Sequence, residues 1–93
     1  MAEISLINTP EWAAVIKRLV RAEMVLHDVT YEELSGRLQA NFGTVQTVSN
    51  LKAKINKGVL GAQLFVQILI VLETESLDFP RIRRMFEEVN KNN

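Results

Sequence analysis

Few side chains in this sequence could take part in bond-making chemistry. His27 is the only histidine, it stands beside Asp28, and there is no cysteine. A general base needs a positioned partner, and a lone imidazole in a turn reads as a surface residue. Without cysteine, disulfides and thiolate metal sites are excluded. There is no glycine-rich phosphate loop and no pair of histidines at metal-binding spacing. Glu32-Glu33 and Glu87-Glu88 are neighbours in sequence, so on helices their carboxylates point in different directions. They read as caps and solvated faces. No enzymatic activity, metal or cofactor is expected.

A different chemistry, recognition by hydrogen bonds, is available between Gln46 and Gly58. Val48, Leu51 and Ile55 recur at helical spacing and define a buried stripe. The opposite face carries Gln46, Asn50, Ala53 and Lys57, flanked by Ser49 and Lys54. It is short, acid-free and has no bulky group at its centre. A helix that approaches base edges in a major groove needs such a face. Asn and Gln can pair with adenine through two hydrogen bonds, and lysine can reach guanine or a phosphate. The plainer reading is a solvated surface. Asn50 has two readings of its own: a base contact, or a brace for the preceding loop.

The charge pattern bears on both readings. Formal net charge is zero, which argues against a protein that holds nucleic acid by bulk charge. Yet no acid occurs between Glu33 and Glu73, a stretch that contains Arg37, Lys52, Lys54 and Lys57. Acids gather toward both ends.

Helices must position these residues. Thr9-Pro10 is a helix start, followed by Trp12, Val15, Ile16, Leu19, Val20 and Val25 near helical spacing, so a first helix is expected from Pro10 to about Val25. Thr30-Tyr31-Glu32-Glu33 is a capping box, and Tyr31, Leu34 and Leu38 supply the stripe of a second helix that ends near Ala40. A turn through Thr47 leads to the third helix, stopped by Gly58 with Lys54 and Lys57 at its negative end. The run Leu64-Phe-Val-Gln-Ile-Leu-Ile-Val-Leu72 is rich in β-branched residues, but a lone strand would have no pairing partner, so a central helix is expected. Gln67 inside it reads as a satisfied core or interface amide. Pro80 opens a last helix with Phe79, Ile82, Phe86 and Val89 on one face. Its early Arg81, Arg83 and Arg84 and later acids run against the helix dipole, which points to charges placed for a partner.

The elements TYEELS, a turn, VSNLKAKINKG, an apolar helix and LETESLDF together resemble the helix-turn-helix of phage-repressor (lambda repressor-like, Xre-type) domains. The shared features fall on Thr30, Leu34-Ser35 and Gly58, and the likeness spans about Ala22 to Phe79. The resemblance implies a compact all-α domain of about five helices that binds double-stranded operator DNA as a homodimer and regulates transcription. It makes Gln46, Thr47, Ser49, Asn50 and Lys54 candidate base or phosphate contacts; from the residues themselves, Lys57 stands beside them, and a second helix crossing the backbone would offer Thr30, Tyr31 and Arg37 to phosphates. Two departures stand out: the stretch from Leu38 to helix 3 is longer than that family's tight turn, and Leu51 is one place out of register relative to Gly58. The chain is more similar to a group of small bacterial domains of unknown function. Their pattern falls on Thr30-Tyr31, Glu33-Leu34, Gly43, Asn50-Leu51, Lys54-Ile55, Lys57-Gly58, Phe65 and Gln67.

One domain is expected over residues 9–90, between a loose arm (1–8) and a short tail (91–93). A chain this short buries roughly 60–65% of its unfolded surface, so an added interface would matter. Leu64, Ile68, Phe79, Ile82 and Phe86 are the expected dimer or partner surface. The alternative to DNA binding is a protein-interaction module on the same fold. No secretory signal is visible, and the apolar run is far short of the roughly 20 residues that cross a bilayer, so a cytoplasmic protein without membrane contact is expected.

Overall fold

The computed structural model describes residues 9–91. Five helices follow one another: α1 (Pro10–Leu26), α2 (Tyr31–Phe42), α3 (Val48–Lys57), α4 (Ala62–Val71) and α5 (Phe79–Lys91). The fold is all-α, with no strand among the described residues. The expected arm lies outside them.

Local chemistry accounts for most helix ends. Thr9 Oγ1 accepts the Trp12 N–H, and Pro10 sits in the first turn of α1. α1 ends on a left-handed Asp28 (φ 54°), with the Val29 N–H donating to Met24 O. Aspartate tolerates that conformation. At α2 both halves of the capping box are present: Glu33 N–H donates to Thr30 Oγ1, and Thr30 N–H donates to Glu33 Oε1, each at 3.2 Å. The Thr30 N–H foremost, and then the Thr30 hydroxyl that also donates to Glu33 Oε1, at 3.1 Å, hold the Glu33 carboxyl below its ordinary pKa.

α2 does not stop near Ala40. It continues through Asn41 and Phe42 to Gly43 in the left-handed region (φ 66°), whose N–H returns to Gln39 O. The link to α3 thus shrinks to residues 43–47. α5 begins at Phe79, one residue before Pro80, because Asp78 Oδ1 accepts the Arg81 N–H at 3.1 Å.

The core joins Val20 and Met24 of α1, Leu34 and Leu38 of α2, Leu51 and Ile55 of α3, and Ile68, Val71 and Leu72 from α4 and its end. α1 packs on α3, α4 and α5, and α2 packs on α3 and α4. α5 packs on α1 alone among the helices, where Phe86 stacks on Trp12 with ring centroids 4.3 Å apart. Two expected core positions differ. Val25 is 81% exposed, because at 100° per residue it falls nearly opposite the centre of the buried arc formed by Val15, Leu19, Val20, Glu23 and Met24. Val48 is only half-buried, leaving Leu51 and Ile55 to anchor α3.

Gly58 makes the tightest approach in the fold. It is left-handed (φ 68°), and a Cβ there would overlap the backbone carbonyl of Ala13 on α1. Gly58→Ala should therefore cost about 2–4 kcal/mol, from strain plus forced separation of α3 and α1. Gly36 lies inside α2 with open space around it, so Gly36→Ala should stabilise by about 0.5–1 kcal/mol. Urea denaturation of the two variants checks the pair; equal effects would contradict the close α1–α3 crossing.

Candidate nucleic-acid interface

α3 is held at both ends. At its start, Thr47 Oγ1 accepts the Asn50 N–H at 3.0 Å, and Ser35 Oγ of α2 donates to the Gln46 carbonyl at 2.6 Å. At its end, Gly58 lies against α1. Leu51 and Ile55 are fully buried between these two points. The remaining surface must face outward. Ser49, Asn50, Lys52, Ala53, Asn56 and Lys57 are all exposed. No acid stands in the first turn of α3, and Lys54 and Lys57 occupy its last turn.

The expected contact residues separate into two groups. Ser49, Asn50 and Lys57 project together on the exposed face around Ala53. Of the two readings of Asn50, the cap belongs to Thr47: Asn50 contributes its backbone N–H, and among the described residues its side-chain amide has no hydrogen bond.

The second group carries structural duties. Thr47 is the N-cap of α3 and Thr30 that of α2. Half-buried Gln46 accepts from Lys54 Nζ through its Oε1 at 3.1 Å, so these two brace one edge of α3. Arg37 is half-buried, and its Nη1 donates to Val71 O at 2.8 Å. That bond satisfies a carbonyl at the C-terminus of α4, where the helix offers no N–H donor of its own.

Three residues gain a role that spacing did not suggest. Lys52 Nζ lies 6.0 Å from the centre of the Tyr31 ring and joins the exposed cations of α3 to the start of α2. Ser35, the small residue after Leu34, is small because it must reach the Gln46 carbonyl at close range. Thr44 Oγ1 donates to Gln67 Oε1 at 2.7 Å, which ties the 43–47 connection to α4 and satisfies the Gln67 amide oxygen within the chain. A threonine and a glutamine far apart in sequence give no local sign of such a bond.

The expected partner surface needs correction. Ile68 is fully buried in the chain's own core and has nothing to offer a partner. Leu64 is half-buried against that core, and Phe86 is covered by Trp12. Ile82 is half-buried, and Phe79 is 69% exposed. α4 is not buried all round: Val66 and Ile70, one turn apart, are exposed. No single helix among the described residues is long and apolar enough to cross a membrane, and α3 and α4 are bent from each other by 111°.

Arg37→Ala should lower stability by about 1–2 kcal/mol, the worth of a charged donor on a carbonyl with little water access. Thermal and urea melts check this; an unchanged midpoint would mean that the guanidinium is not engaged with α4.

No curated protein and no solved structure matches the chain. A family model does match, over residues 12–77, which take in nearly all of α1 and the whole of α2, α3 and α4 but stop short of α5. The segment that forms and braces α3 is thus the segment the family shares, and the chain belongs to the family described as Domain of unknown function (DUF6471).

Proposed function

We propose that this domain binds double-stranded DNA as a cytoplasmic transcriptional regulator of phage-repressor type. On this reading α2, residues 43–47 and α3 act as a helix-turn-helix, and α3 enters the major groove. The observation that carries the reading is the exposed, acid-free face of Ser49, Asn50, Ala53 and Lys57, seated on a rigidly held α3. Asn50 would read a base edge. Lys52 and Lys57 would take phosphates or guanine, and small Ser49 and Ala53 would let the helix approach. Gln46 and Lys54 would contribute by supporting α3 or by exchanging their mutual bond for one to DNA. Two copies would read half-sites about 34 Å apart.

The connection of residues 43–47, shorter than the one expected from a second helix ending near Ala40, favours this reading. The zero net charge limits it, because few cations are available and affinity must be strongly salt-dependent but modest. A second reading, a protein-interaction module on the same fold, draws support from exposed Val45, Val59, Val66 and Ile70.

Selection from genomic fragments at low salt, followed by titration, tests the first reading. A specific duplex should be recovered. Its log K should fall with log salt at a slope of about −2 to −4, for three or four phosphate contacts. Asn50→Ala should cost about 1–3 kcal/mol and relax sequence preference, while Lys57→Ala should weaken all sequences alike. Lys54→Ala combined with Asn50→Ala should weaken binding further. No binding at low salt, with the fold intact, would refute the reading. Capture of one protein partner, indifferent to substitutions on α3, would decide for the second.

A further inference from the structure

The first and last helices gather a second set of cations, separate from those of α3. Along the α1–α5 junction lies a cleft of about 600 Å³ lined by Lys17, Arg18, Arg21, Val25, Leu26 and Arg81 among others. Lys17, Arg21 and Val25 stand one helical turn apart, and Arg18 and Leu26 lie two turns apart in the adjoining row. Each row starts in charge and ends in an exposed aliphatic side chain: Val25 is 81% and Leu26 71% exposed.

No need internal to the fold explains this arrangement. Val25 and Leu26 sit outside the core, and paired exposed aliphatics with a charged rim mark an interaction surface. Arg81 stands in the first turn of α5, the end where the helix dipole disfavours a cation. The one acid on the cleft wall, Glu23, is buried and accepts from Thr74 Oγ1 at 2.8 Å. Arg18 faces Glu88 at 3.6 Å, but both are largely exposed, and such a pair is readily displaced.

We propose that this cleft docks an acidic amphipathic peptide segment of a partner protein. Apolar side chains of that segment cover Val25 and Leu26, and its carboxylates pair with Arg21, Lys17 and Arg81. Charge complementarity selects this occupant: four cations surround the apolar floor, and the single acid is already engaged within the chain. A nucleic acid would use the cations and leave the aliphatic pair wet. The surface is an open trough along α1 with Arg81 of α5 at its side, a shape that takes a chain segment laid along the helix. This site is independent of the DNA reading, because none of its lining residues belongs to α3.

Fluorescence anisotropy on the full chain tests it, with a labelled helix-forming peptide that carries glutamates one turn apart beside a leucine stripe. Saturable binding is expected. Arg21→Glu with Arg81→Glu should weaken it at least about tenfold, as should, separately, Val25→Ser with Leu26→Ser. All four side chains lie outside the core, so circular dichroism should show unchanged helix content; the apolar pair serves as the second variant should the charge reversals disturb α5. The same peptide with glutamine for glutamate should not bind. Three results would overturn the proposal: no saturable binding of the acidic peptide, equal binding of the glutamine version, or indifference to both pairs of substitutions. Co-sedimentation with phosphatidylglycerol vesicles that the peptide cannot compete away would assign the surface to lipid and overturn it as well.

Discussion

Gly58 decides how close α3 can come to α1. Any side chain there would run into the Ala13 backbone, and the left-handed turn at Gly58 is what releases the chain from α3. Because α3 is seated so closely, Leu51 and Ile55 reach full burial. The outward face is a consequence of that seat. At the other end the Ser35 hydroxyl holds the Gln46 carbonyl, and Thr47 closes the first turn. A helix of this length would be marginal alone. Held at two ends and buried on one side, it presents its polar groups outward.

The same economy divides the polar residues of the chain. A small domain has little apolar surface to bury, so hydrogen bonds between elements carry part of the architecture. Arg37 to Val71 and Thr44 to Gln67 bind α2 and its following connection to α4, and the Gln46–Lys54 pair flanks α3. Side chains used this way are less available to a ligand. What remains outward on α3 is a narrow set around Asn50 and Lys57. Narrowness matches the neutral charge: α3 carries few polar groups free to bind, and they are concentrated on its one outward face.

Much of this was legible in the sequence, and the rest fails for identifiable reasons. The caps at Thr9, Thr30 and Gly58 rest on local rules that involve a few neighbouring residues. So does the stripe of Leu51 and Ile55, and these features stand in the structure. Phe42 continues the spacing of Leu34 and Leu38 by one more turn and Gly43 is the C′ stop, but Asn41-Phe42-Gly43 also has the composition of a turn, and that composition masks the extension of α2. Val25 lies only near the helical spacing of its apolar neighbours, and its angular position places it outside the core. Ile68 was assigned to a partner surface because one apolar run does not reveal which of its sides the chain covers. Bonds such as Arg37 to Val71 and Glu23 to Thr74 join residues far apart in sequence, and no local pattern announces them.

On the proposed reading the outward face of α3 meets DNA, and amide NMR spectra recorded with a duplex selected at low salt examine that face residue by residue. With DNA added, shifts should concentrate on Ser49, Asn50, Ala53 and Lys57, spread to Tyr31 beside Lys52, and fade as salt is raised. Shifts confined to α1 and α5, or none at saturating duplex, would contradict the assignment of this face.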